Sequence, residues 1–273
     1  MSNERWIGID FSGNQAKWSS GCSTSNVWIA DVRGRQGALQ LHDVRRVQQL
    51  GGVGLPFDRL VSLLATGGYI AAAIDAPFSI PEPFVVHAGG HAALLSLVAS
   101  SVPADRDFLT GASLVQLVTG PQVPLVSKKP LRTTERWWAR VGVNTRSTLW
   151  AGARGGAPMT AACLTLLHRA ARPIWPWAFA LTGLVLEAFP AAQLRTWRLP
   201  HQKYDGPSSG AVATRQAIVA ALRSRIHLGA WTATLLGSAD ALDAVICAFA
   251  AMTVARVPTS SVTCTEGFIV VHP

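Results

Sequence analysis

Charge of one sign is scarce in this chain. Only 15 of 273 residues are Asp or Glu, against 24 Lys and Arg, and charged residues of both signs make up 14%. Hydrophobic residues make up 49%. That balance excludes a disordered chain, which needs high charge and low hydrophobicity, and predicts a large buried core. Tyrosine (2) and methionine (3) are rare, and cysteine (4) shows no CxxC or CxH spacing. Cys22, Cys163, Cys247 and Cys264 therefore read as reduced thiols of a cytoplasmic protein, not as a disulfide framework or a zinc site. No apolar run reaches the ~18 residues of a membrane helix, and the first residues carry no signal-peptide core, so no membrane partner is expected. No GxxxxGK[ST] loop occurs, which excludes a P-loop enzyme. The histidines form no HxH pair and a single HxxxH spacing. His87 and His91 are four apart, but Gly89 and Gly90 between them break the helix a metal pair needs.

What is present in excess is positive charge, a net +9. Such a surface attracts polyanions, and nucleic acid is the common one. Lys128, Lys129, Arg132, Arg136, Arg140, Arg146 and Arg154 interleave with Trp137, Trp138 and Trp150, which suits stacking beside phosphate contacts. A solvated basic face over a tryptophan core is the plainer alternative. Arg132 and Arg136, four apart, are expected on one helical face.

Periodicity predicts a strand over 5–10, further strands over 26–32 and 37–47 joined by the turn at 33–36, and so an antiparallel meander. Apolar spacing of three and four predicts a helix over 57–66, and a buried strand follows over 69–74. Residues 79–180 read as an inserted helical elaboration of one domain, with helices over 92–99, 108–118 and 160–171. A strand over 183–187, helices over 211–225 and 238–255, and a short strand over 267–271 complete the chain.

The few acids stand where a surface does not need them. Asp10, Asp75 and Glu187 each end a hydrophobic strand, and Asp240 and Asp243 lie three apart in an apolar helix. Ligands of open α/β sheets gather beyond the carboxyl ends of strands, so the three strand-end acids are expected to converge if their strands are parallel neighbours. Clustered carboxylates repel, and a hard oxygen-seeking cation, Mg²⁺ or Mn²⁺, relieves that cost. Each acid has a plainer reading: a turn residue for Asp10 and Asp75, an ion pair with Lys203 or an arginine for Glu187, a first-turn helix acid for Asp240. Ser12 and Gly13, after Asp10, can offer backbone N–H groups to a phosphate, and His201 near Lys203 is a candidate acid or phosphate binder.

The segments Trp6–Gly13, Ala73–Pro77, Leu186–Ala192, Ala239–Ala248 and Thr265–Ile269 together resemble an uncharacterised bacterial and archaeal family, usually described as predicted nucleases with an RNase-H-like fold. The resemblance implies an α/β fold with a mixed sheet of about five strands, the first three antiparallel, flanked by helices. It implies a metal site built from Asp10, Asp75, Asp240 and Asp243, with Glu187 as an additional acid of the family. The arrangement of first-strand, fourth-strand and last-helix acids is shared with Holliday-junction resolvases. The family's middle motif is Arg-x-x-Asp, and here it reads Arg132-Thr-Thr-Glu135. Its Tyr-Lys pair is reversed here to Lys203-Tyr204.

The expected function is two-metal-ion hydrolysis of nucleic acid, with Asp10 bridging two ions, Asp75 and Asp243 each holding one, and Asp240 or Glu187 completing the site. Arg132, Arg136, Lys203 and Ser12 are the candidate substrate contacts. Two alternatives stand beside it. One is a non-catalytic nucleic-acid binder whose acids are structural pairs. The other is an ATP-dependent phosphotransferase of the actin and sugar-kinase type, although Ile74-Asp75-Ala76 lacks the glycine of its second phosphate turn.

Overall fold

The computed structural model describes residues 4–35, 38–120, 129–152, 154–253 and 265–273. Lys128 and Cys264, named above, lie outside these residues, as does the end of the predicted helix beyond 253. The chain folds as a mixed α/β protein with one five-stranded sheet, in the order β3-β2-β1-β4-β5. The strands are β1 (Glu4–Asp10), β2 (Trp28–Arg35), β3 (Ala38–Arg46), β4 (Ala71–Asp75) and β5 (Leu184–Glu187). β1 to β3 form the antiparallel meander, and β4 and β5 add to β1 in parallel. The three strands that end in acids are thus parallel neighbours, with their carboxyl ends at one edge.

Ten α-helices are described. α1 is Pro56–Thr66, α2 Glu82–His87, α3 His91–Ser100, α4 Gly111–Thr119 and α5 Thr133–Arg140. α6 is Ala157–Ala170, α7 Pro190–Thr196, α8 Ser209–Leu222, α9 Thr232–Gly237 and α10 Ala239–Thr253. None of the described helices is long and apolar enough to cross a membrane.

Because side chains alternate along a strand, the sheet has two apolar faces. Ile7, Ile9, Ala72, Ile74 and Val185 pack with α1, α3, α4 and α6. Trp6, Ala71, Ala73, Leu184 and Leu186 pack with α8 and α10 on the other side. α10 lies directly on β1. A β-carbon added at Gly8 would overlap the carbonyl of Ala244 and the amide of Ala248, so only glycine admits the helix this close to the strand.

The elements differ from the periodicity reading in identifiable places. The segment expected as a strand over 267–271 makes a single bridge, Ala188 to Val270, and no ladder. Helices α2, α7 and α9 are too short to show periodicity, and no helix is predicted for them; α5 is anticipated only through the spacing of Arg132 and Arg136. Arg132 and Arg136 do not share a helical face, because Arg132 is the extended N-cap of α5 and its side chain turns inward, while Arg136 stays exposed. His87 ends α2 and His91 starts α3. His91 is stacked on Trp177 and hydrogen-bonded to the Phe78 carbonyl, so it is a core group.

Candidate metal centre

Register decides which acids meet. Asp10 and Asp75 are directly paired across β1 and β4, so their side chains leave the same face of the sheet. That face also carries Gly8 and Ala73, and α10 covers it. Asp243, in the second turn of α10, is delivered to the same spot by the close approach at Gly8. One carboxylate oxygen from each of Asp10, Asp75 and Asp243 lies within 4.8 Å of the other two. Asp10 is buried and the other two are half-buried. None of the ion pairs formed among the described residues involves any of the three. Tyr204 donates its hydroxyl proton to Asp243 Oδ1 at 2.8 Å, which fixes the orientation of that carboxylate.

Burial and nearby carboxylates raise all three carboxyls. Asp10 is pushed well above the ordinary range by burial first, then by Asp243 and Asp75. Asp243 is pushed up by burial and by Asp75, with the Tyr204 hydrogen bond opposing. Asp75 is pushed up to about 7 by burial and by Glu187, against the pull of Arg146. Asp240, one turn before Asp243, is raised by burial and held back by Lys17 and Arg46. It borders the cavity described below but is not one of the three converging acids.

Glu187 is placed differently. It pairs with Ile74, one residue short of Asp75, and a one-residue offset sends a side chain to the other face. There it meets Arg132, which is 1% exposed. Arg132 Nη2 and Nη1 donate to Glu187 Oε1 at 2.5 Å and Oε2 at 2.8 Å, and Arg132 Nε donates to Glu135 Oε1 at 3.0 Å. Burial disfavours the guanidinium charge, but Glu187 and Glu135 outweigh it and hold the group firmly protonated. Glu187 also accepts the Phe78 backbone N–H at 2.9 Å, three residues after Asp75. Of the two roles open to Glu187 in the sequence, the ion pair with an arginine is the arrangement present. Arg132, expected to touch substrate, is occupied by Glu187, Glu135 and the Glu266 carbonyl.

The remaining candidates divide. Lys203 borders the cavity, whereas Ser12 is buried and accepts the Asn14 amide. Arg136 donates to the Leu131 carbonyl and to Thr133. Trp138 is buried, and Trp137 is 53% exposed. Two functional elements escaped the sequence. Tyr204 carries no signal beyond its place beside Lys203. Glu266, in a quoted motif but given no role, accepts the backbone N–H groups of Glu82 and Thr133, joining the starts of α2 and α5.

A cavity of about 600 Å³ opens over the acids and is bordered by Asp75, Asp240 and Asp243. Arg146, Arg154, Lys203 and Tyr204 are also in its wall. Three carboxylate side chains with oxygens within 4.8 Å of one another, none ion-paired among the described residues, form a donor set suited to a divalent cation that prefers oxygen. No curated protein and no solved structure matches the chain. The family model described as a protein of unknown function (DUF429) matches residues 8–262, and the chain belongs to that family.

Proposed function

We propose that the protein is a metal-dependent phosphodiesterase acting on nucleic acid, with Mg²⁺ or Mn²⁺ held by Asp10, Asp75 and Asp243. The observation that carries this reading is the convergence of three carboxylate oxygens within 4.8 Å of one another, with no ion pair to any of them among the described residues. Three raised carboxyls cost the fold stability when they ionise, and a divalent cation removes that cost. Bound there, such a cation would activate water and neutralise charge on the leaving oxygen of a phosphodiester. The chain's own residues supply the rest. Asp10, the most buried of the three, holds the centre, and Tyr204 keeps Asp243 from rotating away. Arg132 and Glu187 brace the turn after β4 through the Phe78 amide and so hold Asp75 in place. The net charge of +9 draws a polyanion toward the site.

The sheet order, with a meander followed by two parallel strands and acids on β1, β4 and the last helix, supports the likeness to RNase-H-like nucleases noted from the motifs. Against the alternative of purely structural acid pairs stands a contrast within the molecule: Glu187 is ion-paired with an arginine, and no member of the trio makes an ion pair among the described residues.

The test is thermal unfolding in EDTA and in Mg²⁺ or Mn²⁺. Wild type should gain roughly 5 °C at about 100-fold excess over Kd, and Asp10→Asn should lose most of that gain. End-labelled single-stranded and duplex DNA and RNA should then be cut only when the metal is present. An absent melting shift overturns the metal site, and intact substrates despite a shift overturn the hydrolase.

A further inference from the structure

We propose that the cavity admits a phosphate ester of nucleotide size, and that Arg146, Arg154 and Lys203 bind its phosphate oxygens. The inference rests on the reading above for the metal site and adds the substrate class. The three cations come from two loops, the segment between α5 and α6 and the segment between α7 and α8, yet they border one cavity with Asp75 and Asp243. All three are exposed, and none takes part in an ion pair among the described residues. Two of them, Arg154 at φ 63° and Lys203 at φ 59°, hold left-handed backbone, a conformation that disfavours residues with a β-carbon. Strain of this kind persists where the surroundings impose it; of the four described non-glycine residues that carry it, Arg154, Ala171, Arg198 and Lys203, two stand at this one opening. Arg146 also stands close enough to Asp75 to pull against the rise in its pKa.

Size selects among polyanions. A space of about 600 Å³ falls inside the ~300–1,000 Å³ range of small-molecule sites. Duplex recognition instead spreads over ~1,000 Å² or more of protein surface. Asp75 and Asp243 are half-buried in the cavity wall, and Asp10 behind them is 7% exposed, so a reacting phosphate reaches the trio through the cavity. A paired nucleotide does not enter without leaving its helix. The shared chemistry is therefore a single phosphate ester, presented either as a free mononucleotide or as an unpaired nucleotide of a single strand.

The test uses the full chain with and without Mn²⁺. The probes are thymidine 5′-monophosphate, a short fluorescein-labelled single strand, and the same strand in a duplex. Arg146→Gln, Arg154→Gly and Lys203→Gly are compared with Arg223→Gln, which removes one exposed charge far along the chain at the end of α8. Glycine relieves the left-handed strain, so Arg154→Gly and Lys203→Gly should melt no lower than wild type while binding weakens. Expected is a 5- to 10-fold affinity loss for each cavity variant and little for Arg223→Gln, with the Mn²⁺ melting shift retained. The single strand should bind at least 10-fold tighter than the duplex, and competition by the mononucleotide shows that one unit suffices. Equal loss in Arg223→Gln, equal binding of duplex and single strand, or unchanged affinity with tighter Mn²⁺ binding would overturn the proposal. The last result would mean that the cations only balance the carboxylates. Failure of the metal reading looks different: no Mn²⁺ shift, yet phosphate binding that still depends on the three cations.

Discussion

At the scale of single residues the centre is defined by charge held out of water. Asp75 keeps its proton up to about 7, whereas an unfolded aspartate loses it near ~3.9. Between those values the folded chain binds more protons than the unfolded chain, so its contribution to stability is present at low pH and lost as pH rises toward 7. His91 acts in the opposite direction. Burial pushes it down to about 4, so its contribution is present above ~6.5 and is lost as pH falls through 4. In EDTA, Asp75→Asn should therefore be more stable than wild type at pH 8, by an amount on the order of 1–3 kcal/mol. The two curves should meet below pH 4, where both side chains are uncharged. Calorimetry across pH checks this, and a variant less stable at pH 8 contradicts it. Divalent metal should reverse the order, because the wild type gains binding free energy that the amide variant forgoes.

Elements bring these residues together, and two contacts do most of it. Gly8 lets α10 lie on β1. Gly8→Val should cost about 2–4 kcal/mol and should also abolish the Mn²⁺ melting shift, since the helix that carries Asp243 must move. A loss of stability with the metal shift preserved would show that α10 can retreat without disturbing the centre. Arg132 is the second contact. It joins the start of α5 to β5, and Glu266 joins α5 to α2. Arg132→Met leaves Glu187 and Glu135 buried without their cation, and should cost about 3–5 kcal/mol in urea unfolding. Arg132→Met combined with Glu135→Gln and Glu187→Gln should regain part of that loss, because the penalty comes from the orphaned charge.

For the whole molecule, net charge and site geometry make separate contributions. A net charge of +9 would attract a polyanion of any shape, and such attraction weakens steeply with salt. Contacts at the proposed metal site and in the cavity would be short-range and far less screened. Raising salt should therefore weaken duplex binding more than mononucleotide binding, measured as the slope of log affinity against log salt. Equal slopes would place the nucleotide on the surface.

Much of this was legible beforehand, because the signals are local. Scarce acids at the ends of apolar strands marked Asp10 and Asp75, and the pattern in β1, β2 and β3 carried the meander. Asp243 was marked by its position inside an apolar helix. Lys203 and Tyr204 stand in the sequence only as a reversed family pair, and the role of Tyr204 in holding Asp243 has no local signal, since one tyrosine in a loop has no periodicity to betray it. The role of Glu187 was left open for a clear reason. Its local sequence, an acid ending a buried strand, is the same as that of Asp10 and Asp75. Only the parallel register between β4 and β5 shifts it by one residue and turns it to the other face. Residue type and spacing determined that scarce carboxylates would end the apolar strands and sit inside an apolar helix. Strand pairing, with its period of two, decided which of them meet and which is neutralised by a buried arginine.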